Sequence, residues 1–219
     1  MGEVKFEFSI AVFAAFPLQL TDAADAAYVR KASANLPPRR HIFIDETEDY
    51  DMALFSMNLE NLKDLFIDEL RDLYDAENQI TEALPKLIEK AKYPQLKSAL
   101  QEHLEVTRGQ IRRLDTIFQQ LKEKATGETC KGMKGLIKEG DDMATRDGDA
   151  SVIDAAIISA AQRVEHYEMA GYGTVRTYAD LLGQPEFANL LQQTLDEEKE
   201  ADKTLTEIAK TINVQAKAA

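Results

Sequence analysis

The chain has 219 residues, with 26 basic and 39 acidic side chains, a net charge of −13 and 44% hydrophobic residues. That is enough apolar content to bury a core, and the acidity excludes bulk binding to nucleic acid or anionic membranes, which requires a cationic surface. The single cysteine, Cys130, excludes an internal disulfide and a Cys-based zinc cluster; no apolar run is long enough to span a bilayer, and 6 Pro and 10 Gly are too few for a turn-rich β protein.

Residues 1–56 differ in texture from the rest of the chain. They contain an apolar stretch from Phe8 to Phe16 and a polar segment with Pro37-Pro38-Arg39-Arg40. The stretch has the look of a signal-peptide core. Glu3, Lys5 and Glu7 stand where a positive leading region belongs, which argues against export and for a cytoplasmic protein. The expectation for residues 1–56 is a poorly ordered extension, or translation from upstream of a native start at Met57. A four-helix unit is expected over residues 57–215.

From Asn58 onward a 3.6-residue period dominates. The first helix is expected over about 58–92, with Leu62, Phe66, Leu73, Ile80, Leu84 and Leu87 on its apolar row and Pro85 kinking or splitting its end. Pro94 suits the first position of a second helix, which carries Leu96, Leu100, Leu104, Leu114 and Phe118 to about Lys124. A Gly-rich connection comes next, with one short amphipathic helix over about Gly132 to Met143. Ser151 and Asp154 resemble a capping box for a third long helix, stopped by Gly183. Pro185 opens the fourth, with Phe187, Leu191, Leu195, Leu205 and Ile212. Two short joints and one long connection describe two antiparallel hairpins linked by a crossover, the plan of an all-α, ferritin-like four-helix bundle.

Projecting each helix at about 100° per residue finds polar side chains on the wrong face. Glu69 and Glu77 flank the face centred on Leu73. His103 and Thr107 edge the second face, with Gln110 nearby. With the third face centred on Val164, Glu168 points inward, Glu165 falls on the flank and His166 points out. Glu198 is central on the fourth helix, with Asp202 one turn later and Glu197 on the flank. Unpaired buried carboxylates are costly and repel each other, and no Lys or Arg is expected on these faces at the same level. Bound cations resolve the conflict. Glu77, His103, Glu168, Glu198 and Asp202 are therefore the candidate metal ligands, with Glu165, Glu69 and Thr107 orienting them. Carboxylates with an imidazole suit a dinuclear iron or manganese site, with zinc as the alternative. The usual Glu-x-x-His pair of such centres is missing.

Read singly, these residues have plainer explanations. An inward Glu is more often linked to water or a helix end, His103 alone is more often a satisfied core histidine, and Tyr74, Tyr167, Tyr172 and Tyr178 read as packing residues with bonded hydroxyls. The combination of positions carries the metal reading. No phosphate loop, zinc-protease motif or G-x-S-x-G elbow occurs, and Arg39-Arg40 is too small for a DNA-binding arm.

Asp72-Leu73-Tyr74-Asp75-Ala76-Glu77, His103-Leu104-Glu105, Val164-Glu165-His166-Tyr167-Glu168 and Glu197-Glu198-Lys199 resemble the YciE/YciF family of bacterial ferritin-like stress proteins, in order and over about residues 58–213. The resemblance implies a rubrerythrin-like bundle, a homodimer and a metal site between the helices, and no settled activity. Three functions are expected in turn. The first is a dimetal protein acting on dioxygen or peroxide as a small oxidant. The second is a non-enzymatic dimeric interaction module with a vestigial site, and the third a metal-storage shell.

Overall fold

A computed structural model of the protein describes residues 59–219. The expectations for residues 1–56 and for a start at Met57 lie outside the described residues. Five helices succeed one another: α1 Leu62–Lys90, α2 Pro94–Leu121, α3 Lys131–Ala144, α4 Ala150–Leu181 and α5 Pro185–Ala218. No strand occurs among the described residues, and no helix there is long and apolar enough to cross a membrane.

Local signals set the ends. The Asn61 side chain accepts from the Lys63 and Asp64 amides at 2.9 and 3.1 Å, and Asp64 accepts the Glu60 amide in return, satisfying donors a helix start leaves open. Pro94 and Pro185 stand at the first turns of α2 and α5. Gly183, at φ 70°, stops α4 in the left-handed conformation that a Cβ disfavours. Pro85 does not break α1, which continues to Lys90. The proline is exposed, so water can serve the carbonyl it leaves unpaired one turn back.

The buried side chains give the helix directions. One apolar group holds Ile80 and Leu84 late in α1, Leu100 early in α2, Ile157 early in α4, and Leu205 and Ile212 late in α5. The other holds Leu70 and Leu73, Leu114, Val175 and Leu191. Hence α1 and α5 run one way, and α2 and α4 the other. The packing order around the bundle is α1, α2, α5, α4, so every adjacent pair is antiparallel. α2 ends beside the second group and α4 starts beside the first. The chain must therefore travel the length of the bundle between them, and α3 lies along that path, packed on α4 and α1.

Side chains of α1 hold the crossover. Arg71 donates to the Lys124 carbonyl at 2.9 Å, Asp75 accepts the Cys130 amide at 2.8 Å, and Gln79 donates to the Cys130 carbonyl at 3.1 Å. The Cys130 thiol caps α3 and contacts the Tyr167 hydroxyl, which donates to Asp72.

Asp154 has a different role from the one its spacing suggests. Asp149 is the N-cap of α4, accepting the Ser151 amide at 2.8 Å. Asp154 is buried and accepts the amides of Lys92 and Tyr93 at 2.9 and 2.7 Å, tying the α1–α2 joint to the start of α4. Asp154→Ala would orphan two amides across that joint. It should lower the unfolding free energy by about 2–3 kcal/mol in urea titrations, more than Asp149→Ala does.

Candidate metal centre

Inward positions on the bundle helices advance in alternating steps of three and four residues, which keeps one row facing the axis. On α1 the row is Phe66, Leu70, Leu73, Glu77, Ile80 and Leu84. On α2 it reads Leu96, Leu100, His103, Thr107, Gln110 and Leu114. On α4 it is Ile158, Ala161, Glu165, Glu168, Tyr172 and Val175, and on α5 Leu191, Thr194 and Glu198 lead toward Leu205. In every helix the polar members fall between residues of the two apolar groups. The core is therefore two apolar halves separated by a polar layer to which all four helices contribute.

The layer is crowded and almost wholly buried. One ligand atom from each of His103, Glu165, Glu168 and Glu198 lies within 4.8 Å of the others. Glu77 is beside them, its Oε1 accepting from the Tyr172 hydroxyl. Gln110 donates to Glu198, and also reaches Glu197 at 3.3 Å. Thr107 donates to the His103 carbonyl at 2.9 Å, so it fixes backbone and orients no ligand side chain. Seven buried side-chain atoms have no hydrogen-bond partner among the described residues, and all seven belong to this layer: Glu77 Oε2, His103 Nε2, Gln110 Oε1, Glu165 Oε2, both Glu168 oxygens and Glu198 Oε2.

Four of the five expected ligands are thus brought together: Glu77, His103, Glu168 and Glu198. Asp202 is set apart. Partly exposed, it accepts from Gln162 at 3.0 Å and faces His166 at 3.3 Å. Its place among the buried carboxylates is taken by Glu165, which the projection puts on the flank. The discrepancy comes from centring the α4 face on Val164, which is only half-buried. The three-four row through Ile158, Ala161, Glu168, Tyr172 and Val175 contains Glu165 and is the signal that finds it. Glu69 sits toward the far end of α1, half-buried.

A cation does approach the layer, against expectation. Arg113 on α2 reaches across to α5, where it forms a two-pronged pair with Glu197 and donates to Thr194 at 3.1 Å. Its ion pair is with Glu197, and its charge also favours the ionised form of Glu198; no Lys or Arg among the described residues forms an ion pair with any of the four buried carboxylates.

Electrostatics follow from burial. Desolvation first, then repulsion from Glu198, raises the Glu77, Glu165 and Glu168 carboxyls well above the usual carboxylate range. Glu198 is pushed up to about 7 by burial, with Glu165 and Gln110 bonds opposing and Glu197 adding to the rise. Burial lowers His103 to about 4, so its imidazole is neutral near pH 7, the form that ligates metals. The 3.5 Å approach of His103 to Glu165 is therefore a polar contact and not an ion pair. Tyr172 is raised well above its ordinary value by burial and by Glu77, and stays a donor.

Known proteins share this architecture. The domain of unknown function DUF892 matches residues 61–219. Protein YciF of Escherichia coli K12 is 44% identical over 154 residues, covering 70% of this chain and 93% of that protein. The chain belongs to the DUF892 family. Among solved structures, the E. coli stress protein YciF matches with a TM-score of 0.68 at 42% identity, over 70% of this chain and 97% of that one. YcfI from Rhodopseudomonas palustris matches with a TM-score of 0.67 at 46% identity, over 69% and 97%. A Xanthomonas campestris protein at 20% identity, TM-score 0.60, shares the fold. The helical bundle of this DUF892 member is thus that of the YciF structures.

The shifted pKa values have a signed consequence for metal-free protein. Raised carboxyls stabilise the fold at low pH and lose that contribution as pH climbs from the ordinary carboxylate value through their folded values, which for Glu198 is about 7. The lowered His103 acts in the opposite window, contributing above its unfolded value near 6.5 and losing that contribution as pH falls toward 4. The four raised carboxyls outnumber the one lowered imidazole, so the melting temperature of metal-free protein should fall from about pH 5 to pH 7. Calorimetry across that range checks it; a flat or rising curve contradicts the burial of these groups.

Proposed function

We propose that this protein holds a pair of divalent transition-metal ions, iron or manganese, in the polar layer, and that the centre acts on dioxygen or peroxide. The observation that carries the reading is the set of seven unpartnered buried atoms, all belonging to one layer. Native cores leave few such atoms, and four carboxylates with no cationic partner are a severe cost. The donor set fits the ions: four carboxylates match the charge of two divalent cations, and a neutral imidazole with oxygen donors and no thiolate suits iron or manganese. Glu77, His103, Glu165, Glu168 and Glu198 would hold them.

Such ions supply Lewis acidity and one-electron chemistry toward small oxidants. The chain's own groups supply the setting. Tyr172 pins one oxygen of Glu77 and leaves the other free. Gln110 orients Glu198 in the same way. Arg113 clamps Glu197 across α2 and α5 at the edge of the layer. The two apolar halves exclude water on either side, which strengthens each electrostatic contact within. An opening of about 200 Å³ between α2 and α5 reaches His103 and Glu165 and is lined by Glu102, Glu197 and Glu200. Those carboxylates attract cations to that mouth.

A non-enzymatic module is the second reading, favoured by one observation. With their raised pKa values the carboxyls can share protons pairwise, Glu77 with Glu168 and Glu165 with Glu198. Protons then take the place of metal.

Glu168→Met separates the two. With the carboxyls ionised, neither Glu168 oxygen has a donor among the described residues, so under the metal reading an apolar side chain of similar size should stabilise metal-free protein by about 1–3 kcal/mol. Manganese(II), or iron(II) without oxygen, should raise the melting temperature of the unsubstituted protein and leave that of Glu168→Met unchanged. Unfolding of the unsubstituted protein that is indifferent to both ions would reject the metal reading.

A further inference from the structure

A second cavity meets the polar layer from the other side. It has a volume of about 360 Å³ and lies between the crossover helix α3 and the bundle helices. Its walls are apolar, with Ala83 and Leu87 from α1, Leu100 from α2, Ile137 from α3, and Ala160 and Val164 from α4. At its inner end are His103 and Glu165, both with an unpartnered buried atom. An apolar cavity of about 150 Å³ already suffices for a benzene-sized guest, so this space is large for a packing defect.

The rim carries the opposite charge from the rest of the molecule. Lys86 of α1 and Lys134 and Lys138 of α3 surround the mouth, with Asp141 beside them. All three lysines are exposed, and none of their ammonium groups forms an ion pair or hydrogen bond among the described residues. Against these three lysines the lining sets only Asp141 at the mouth and Glu165 at the inner end, so the mouth is net positive on a chain of net charge −13. Three unpaired ammonium groups around an apolar shaft match a ligand with an anionic head and an aliphatic tail. The two openings thus differ in kind: the carboxylate-lined one repels such a head, and this one attracts it.

We propose that this cavity is a binding site for an aliphatic monocarboxylate. The carboxylate lies among Lys86, Lys134 and Lys138, and the chain runs inward between α3 and α4 toward His103 and Glu165. A pocket of this volume falls within the range of small-molecule sites, about 300–1,000 Å³. The proposal does not rest on the metal reading, since the walls and the lysines are the same whatever the polar layer holds.

The test is calorimetric titration of delipidated full-length protein with hexanoate, octanoate, decanoate and dodecanoate, with and without manganese. One site per chain is expected, tightening about three- to fourfold with each added methylene until the cavity is full. Lys134→Glu with Lys138→Glu, both on the exposed face of α3, should weaken decanoate about tenfold and leave decanol unaffected. Ala83→Trp should block both ligands. Absence of binding, affinity independent of chain length, or equal affinity in the Ala83→Trp protein with its helical circular dichroism intact would overturn the proposal. So would a finding that the mouth is covered by a second copy of the chain, seen as dimer dissociation by Ala83→Trp without any carboxylate binding.

Discussion

Four carboxyl groups from α1, α4 and α5 share one buried layer with the imidazole of α2, and almost everything else in the bundle is arranged around that fact. The layer divides the apolar core in two. It would be the weakest level of the molecule if its groups were left charged and alone, because mutual repulsion adds to desolvation. The groups around it act on single atoms. Tyr172 satisfies one oxygen of Glu77 and Gln110 one oxygen of Glu198, while their other oxygens stay without a partner inside the layer. This partial satisfaction is what a ligand cage requires: fixed side chains with lone pairs left over.

The topology serves the same end. Two hairpins joined by a lengthwise crossover make every adjacent pair antiparallel, so the middle of each helix meets the middle of its neighbours. The polar residues lie near the middle of each helix, so they meet at one level of the bundle. The ties outside the core hold this register. Asp154 locks the α1–α2 joint to the start of α4, and Arg71, Asp75 and Gln79 fasten the crossover to α1. The crossover in turn shapes the apolar cavity, since α3 forms one of its walls.

Much of this is legible in the sequence. Helix positions follow from an apolar period sustained along each long helix and from Pro94, Gly183 and Pro185, which act locally. Glu77, Glu168 and Glu198 stand near the centre of strong apolar rows, so their inward direction depends little on how the face is drawn. Glu165 does depend on it, because a shift of one residue in the chosen centre moves a side chain by about 100°. Asp202 lies one step outside the row on its helix, which turns it toward Gln162 and His166. Asp154 and Arg113 cannot be read from local spacing at all. Their partners are 61 and 84 residues away in the chain, and only the folded contacts bring them within reach.

The most direct test is anomalous diffraction at the iron and manganese absorption edges, on crystals of protein purified without chelator and supplied with each ion. Two anomalous peaks are expected in the layer bounded by Glu77, His103, Glu165, Glu168 and Glu198, with none beside Asp202. Density for water or directly hydrogen-bonded carboxyls at that level, with no anomalous signal, would contradict a metal-holding layer.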